Sequence, residues 1–284
     1  MYDYNAIVLD NEIKMRFELA GPNLYAAYDL ASGKQLDSMV RLDGLTIDCA
    51  NGEVLGQYKL WASRPERAVG KLVQVEGANM EQLIDMYEEI LVGAYIMSAK
   101  AASPTVTTLA LLPNIKSTLD WLRSTDFYTA PASTVYHESF PGGLLVHSLK
   151  AYNQAMQLLN LNSFRSVPVE DAAITLLVHD WCKIGLYQSY TKRVKNEISG
   201  EWEAVNAYKR EPKGLLLGHG ATSMYLAQRC FNIKPEVAAA IRWHMASYDV
   251  SERDSFELYE CNDRYPLVLL AQFADQLSVA SYSK

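Results

Sequence analysis

"LLVHDWCKIG", residues 176–185, sets a titratable His179 and a carboxylate, Asp180, directly behind an apolar run that reads as helix interior. A carboxylate withdrawn from water costs several kcal/mol unless it finds a partner, or else it neutralises by taking up a proton. The partner of Asp180 has to come from elsewhere in the chain, and the search for it organises the rest of the sequence.

The chain contains five histidines, and four of them fall on four successive segments of helical periodicity. His147 lies in "GGLLVHSLKAYNQAMQLLNL", His179 in "VEDAAITLLVHDWC", His219 in "LLLGHGATSMYLAQRCF" and His244 in "KPEVAAAIRWHM". The next such segment, "YPLVLLAQFADQLSVA", carries Asp275 in an apolar setting, with Val268, Ala271, Gln272 and Ser278 on roughly the same face by i+3 and i+4 spacing. Buried carboxylates and imidazoles satisfy one another only through positive charge. Lys183 and Arg242 stand near predicted helix ends rather than inside these apolar runs. A divalent metal supplies the charge naturally, since imidazole and carboxylate are its usual first-row ligands.

Upstream the pattern differs. From about residue 13 to residue 76 short segments rich in β-branched and aromatic residues, "IKMRFEL", "NLYAAYDL", "LTIDCA", "VLGQYKLWA" and "KLVQVEG", are punctuated by Gly, Asn, Asp and Pro, which predicts a β-rich module over residues 1–78. At Met80 the period changes: "MEQLIDMYEEILVGAYIMSAKA" spaces its apolar residues as a helix, and residues 79–284 read as a mostly helical domain. Its one long irregular stretch holds "YQSYTKRVKNEISGEWEAVNAYKR", a predicted β-hairpin or flap that interleaves aromatic and basic residues.

Bulk composition sets limits. A chain of 284 residues with 49% hydrophobic and 21% charged residues is an ordinary globular protein, and a net charge of −7 argues against broad binding to a phosphate backbone, leaving room for a local basic patch. The four cysteines are widely spaced without a CxxC pair, which suits a reducing cytosol and indicates neither a disulfide framework nor a thiolate zinc site. No run approaches the roughly 18 apolar residues of a membrane span, and the N-terminus lacks a basic stretch followed by an apolar core, so a cytoplasmic protein with no membrane partner is expected.

His147, the His179-Asp180 pair and Asp275 stand in the order that marks the HD-domain metal-dependent phosphohydrolases, and the chain resembles that family over roughly residues 130–280. "HESFPGGLLVHSL" is similar to its opening motif, "HDWCKIG" to its central one, and "GLLLGH" to the entry to a third histidine. The resemblance implies a helical HD bundle, and His219 and His244 occupy the order of the subset that holds two metals. It further implies that Asp180 bridges two ions, with His147, His179 and Asp275 completing one site and His219 and His244 the other. Wording is nearest to 3′-to-5′ exoribonucleases with an N-terminal OB-fold, whose closing strands "GQYKLWASRPERAVGKLVQVEG" loosely resembles. The expected activity is hydrolysis of a phosphoester or phosphodiester in a nucleotide or at the 3′ end of a short single-stranded oligonucleotide. One or two divalent ions (Mn, Fe, Ni, Zn or Mg) would serve as cofactor, and the alternative is a metal-containing nucleotide-binding or regulatory module without turnover. Asp180 and Lys183 are the candidate catalytic residues. Two readings stand for several others. Lys183 either contacts phosphate beside the His-Asp pair or is a solvated lysine, His137 either reaches substrate phosphate or sits on a surface loop, and the hairpin's Lys192 and Arg193 either hold substrate or belong to a solvated flap.

Overall fold

β-branched and aromatic segments near the N-terminus form strands β1 (Asp3–Val8), β2 (Lys14–Gly21), β3 (Leu24–Asp29) and β4 (Gln35–Arg41), each pairing antiparallel with its sequence neighbour in a four-stranded sheet. Two short strands, β5 (Thr46–Ile47) and β6 (Val54–Leu55), pair with each other. The computed structural model describes residues 65–279 other than 107, 197 and 198, together with the backbone of these six strands. Two of them, β1 and β4, lie outside the segments marked by the sequence reading. One expected strand is absent: residues 71–77, "KLVQVEG", run from a bend at Lys71 to a turn at residues 76–77 with no strand assigned. The Asn153 side chain takes the place of a neighbouring strand, accepting from the Val73 N–H (2.8 Å) and donating to the Val73 carbonyl (2.8 Å). Of the supposed closing strands of an OB-fold, residues 56–64 lie outside the described residues and Pro65–Arg67 form a 3-10 turn.

Helices follow: α1 (Met80–Ala102) and α2 (Thr108–Ser124), then α3 (Gly143–Leu158), α4 (Val169–Val178), the ribbon β7 (Tyr187–Lys195) and β8 (Trp202–Arg210), and finally α5 (His219–Cys230), α6 (Pro235–Trp243), α7 (Ser255–Arg264), which lies outside the segments whose periodicity predicts a helix, and α8 (Pro266–Val279). The described residues are mostly helical. The chain divides into two units. One comprises residues 1–70 with 88–120, the other residues 71–87 with 121–284. This division differs from a simple break after residue 78, because within the first unit the middle of α1 packs on the 65–67 turn. Gly93 leaves no room there for a Cβ against the Pro65 carbonyl, and Lys100 pairs with Glu66 at 3.2 Å.

The second unit is built on the apolar faces of α3, α4, α6 and α8. Leu144, Leu149, Leu176, Leu177, Ile241 and Val268 are fully buried there, each worth about 1.5–3 kcal/mol relative to exposure. The "GG" before α3 has a steric cause: Gly142 adopts φ +83 and a Cβ on Gly143 would collide with the Glu138 carbonyl. Sequence periodicity ran α4 through Cys182, but the helix ends at Val178 and a 3-10 turn, Trp181–Lys183, takes over. The buried Trp181 fixes that turn, its indole N–H donating to Tyr87 Oη (3.0 Å), which donates in turn to the Leu177 carbonyl (2.7 Å).

Candidate metal centre

Helix termini, rather than helix interiors, position most of the cluster. His147 lies inside α3, whereas His179 immediately follows α4, His219 is the first residue of α5 and His244 immediately follows α6. The last carbonyls of a helix have no intrahelical partner. His179 Nδ1 takes one of them, donating to the Leu176 carbonyl at 2.7 Å, and His244 Nδ1 does the same with the Ile241 carbonyl at 2.8 Å. With Nδ1 engaged in that bond, each ring turns its Nε2 inward. The two histidines are thus oriented by one device used twice.

Four inward atoms form a tight set. His147 Nε2 lies 3.2 Å from His179 Nε2, 3.2 Å from Asp180 Oδ2 and 3.1 Å from Asp275 Oδ1. His179 Nε2 is 3.5 Å from each of the same two carboxylate oxygens. Ligands held about 2.0–2.2 Å from a single ion stand about 3–3.6 Å from one another, so His147, His179 and Asp275 have the spacing of a coordination shell, and Asp180 Oδ2 keeps the same spacing from the two histidines. Asp180 turns its other oxygen the opposite way, with Oδ1 2.8 Å from His219 Nε2 and 3.8 Å from His244 Nε2. His244 Nε2 is buried and has no hydrogen-bond partner among the described residues, a costly state for a polar atom unless a ligand completes it. Buried His, Asp and Cys groups within metal-binding distance of one another are therefore present, compatible with a metal site.

Another buried carboxylate in the same unit shows the ordinary alternative. Asp171 is met by the Lys234 ammonium at 2.7 Å, whereas Asp180, besides Lys183 at 2.6 Å, and Asp275 converge on imidazoles. The electrostatics of the metal-free cluster follow from that convergence. Burial disfavours the charge on Asp180, yet Lys183, His179 and hydrogen bonds from His147 and His219 hold its carboxyl well below the usual range. Asp275 is likewise held low against burial by His147 and His179. Burial opposes protonation of His147, but its bonds to Asp180 and Asp275 raise it to about 9. His219, opposed by burial and favoured by the Cys182 thiol and Asp180, rises to about 10. His244 falls to about 3, through burial and the neighbouring His179 and His219. At neutral pH His147 and His219 therefore carry protons in the metal-free cluster.

The remaining candidates separate. Lys183 is buried, its ammonium 2.6 Å from Asp180 Oδ2, so it is no solvated helix-end lysine. His137 stacks near His147 with ring centroids 5.0 Å apart and a buried Nε2 that has no partner, beside the cluster instead of on an open loop. Arg242 is taken up by Asp249 at 3.3 Å. Lys192 and Arg193, neighbours in β7, point to opposite faces of the ribbon and cannot act on one ligand together. Two residues the sequence reading passed over belong here. Cys182, two positions past Asp180, joins Asp180 and His219 in a group whose atoms lie within 4.8 Å of one another, although no CxxC pattern marks it. Glu138, with left-handed backbone at φ +40, is buried near His147 Nδ1 at 4.0 Å while Lys150 pairs its other oxygen at 2.7 Å. On the far side of His219 opens a cavity of about 400 Å³ lined in part by Cys182, Tyr187, Arg210 and Asp249. Comparisons with protein-family models, curated proteins and solved structures return no match for this chain.

Proposed function

We propose that the second unit is an HD-type helical bundle acting as a metal-dependent phosphohydrolase, on a nucleotide or the 3′ end of a short oligonucleotide, in a reducing cytoplasm. The observation that carries this reading is Asp180, buried with one oxygen against His147 and His179 and the other against His219 and His244. A structural ion needs four ligands, and this arrangement offers two sets sharing one carboxylate. His147, His179, Asp180 and Asp275 would hold one divalent ion, and Asp180, His219 and His244 a second. Such ions supply activation of water and neutralisation of phosphoryl charge.

The protein's own groups account for the rest. Asp180 sets the spacing between the two ligand sets, because its oxygens are fixed relative to each other. The Lys183 ammonium sits at the edge of that carboxylate and is placed to meet a phosphoryl oxygen. His137 presents Nε2 beside His147, where it can accept or donate to a phosphate, and burial keeps its ring neutral by lowering its pKa, with His147 and Lys183 adding to the effect. The mixed donor set suits Mn, Fe, Ni, Zn or Mg. A phosphate-release screen over nucleotides, cyclic dinucleotides and short oligonucleotides, with each of these metals supplied, tests the reading. Product from at least one phosphoester is expected, and none from any substrate with a fully loaded protein would leave a metal-containing binding module as the better account.

A further inference from the structure

The β7–β8 ribbon pairs residue by residue from Tyr187↔Arg210 to Lys195↔Trp202. Residues directly opposite in an antiparallel ladder share a face, and successive residues alternate between faces. The register therefore sorts side chains that look mixed in the sequence. One face carries three aromatic rings, Tyr187, Tyr208 and Trp202, and three cations, Arg193, Lys195 and Arg210, with no carboxylate. The other carries Glu203 with Lys192 and Lys209 about a Val194 and Val205 stripe, and a single ring, Tyr190. On that second face Glu203 accepts from the Asn196 amide at 2.7 Å and Lys209 is neutralised by Glu211 at 2.7 Å. Among the described residues Arg193, Lys195 and Arg210 make no ion pair, and Trp202 is 66% exposed, unusual for so large an apolar ring. At the base, Tyr187 and Arg210 line the cavity that also touches His219.

We propose that this face binds single-stranded nucleic acid, with bases stacked on Trp202 and on the Tyr187 and Tyr208 rings and phosphates on Arg193, Lys195 and Arg210. Eight residue steps along β7 give a track of about 27 Å. Rings that accept any base and cations that follow a backbone are what strand binding without sequence preference requires. A duplex hides its base faces, so it meets only half of this chemistry. The ribbon supplies locally the positive charge that the chain as a whole lacks. Delivery of a strand end toward His219 rests on the phosphohydrolase reading; the binding itself does not.

The test is fluorescence anisotropy with the full chain and a labelled oligo(dT) of about twelve nucleotides, in the presence of chelator so that no hydrolysis intervenes. Wild type should bind, with a log–log salt slope near −2, from about −0.7 for each of three phosphate contacts. Trp202→Ala and Arg193→Ala should each weaken binding at least about fivefold, while Lys192→Ala, which removes equal charge from the opposite face, should cost less than about twofold. A blunt duplex of the same length should bind at least about tenfold more weakly. No binding by wild type, equal losses for Lys192→Ala and Arg193→Ala, or equal binding of duplex would each overturn the proposal. Strand binding without phosphoester hydrolysis would uphold this face and remove the proposed activity, and hydrolysis of mononucleotides without strand binding would do the reverse.

Discussion

Loading the centre with metal should expel protons, and the number can be worked from the structure. In the metal-free protein His147 titrates at about 9 and His219 at about 10, so both are protonated at pH 7, while His244, at about 3, is already neutral. Ligation needs an unprotonated nitrogen. Filling both ligand sets at pH 7 should therefore draw one proton from each of these two raised histidines. Removing the His147 proton two pH units below its pKa costs about 2.7 kcal/mol, at about 1.36 kcal/mol per unit. Affinity for the first ion should accordingly rise about tenfold per pH unit up to pH about 9, and for the second up to about 10. Calorimetric titration in two buffers of different ionisation enthalpy counts the protons directly. The same pKa values fix a stability trend: groups raised above their unfolded value stabilise the metal-free fold fully below about 6.5 and lose that contribution as pH rises through about 9 and 10. The melting temperature of the metal-free protein should fall between pH 7 and 10. Release of less than about half a proton per chain at pH 7, or affinity unchanged from pH 6.5 to 8, would refute the reasoning.

Asp180→Asn keeps the shape and removes the charge, leaving buried Lys183 and the protonated His219 without that carboxylate and His147 with Asp275 in its place. Denaturant unfolding of the metal-free variant should show a loss of about 3–5 kcal/mol, and both ion content and turnover should collapse. Lys183→Ala frees Asp180 Oδ2 from a competing cation, so metal content measured by elemental analysis should stay at or above wild type while phosphate release falls at least about tenfold. Trp181→Ala empties a fully buried site and removes the indole donor to Tyr87 Oη, and should cost about 3–5 kcal/mol in the same unfolding assay.

Much of the centre was legible because carboxylates in apolar runs are costly and their partners recur in order. Asp180 and Asp275 announced the need for positive charge, and His147, His179, His219 and His244 all stand within the cluster the structure forms. The places where helices stop were not legible. Nothing in "HDWC" is a breaker, and Gly185, at φ +66, comes only after the turn is complete, yet α4 ends at Val178 so that His179 can take a free carbonyl. Because the helix stops there, Lys183 meets Asp180 from a 3-10 turn and not from a shared helical face, and Cys182 comes within reach of His219. Glu138 escaped notice because its approach to His147 depends on a left-handed residue in a loop, for which periodicity offers no signal. The ribbon shows a third kind of limit. Its acids and cations alternate along the chain without pattern, and only the cross-strand register reveals that one face carries no carboxylate.

Elemental analysis of the full chain purified without chelator tests the central claim most directly. The account predicts one or two divalent ions per chain for the wild type and close to none for Asp180→Asn. A wild-type content near zero that added manganese, iron, nickel, zinc or magnesium does not restore would contradict it.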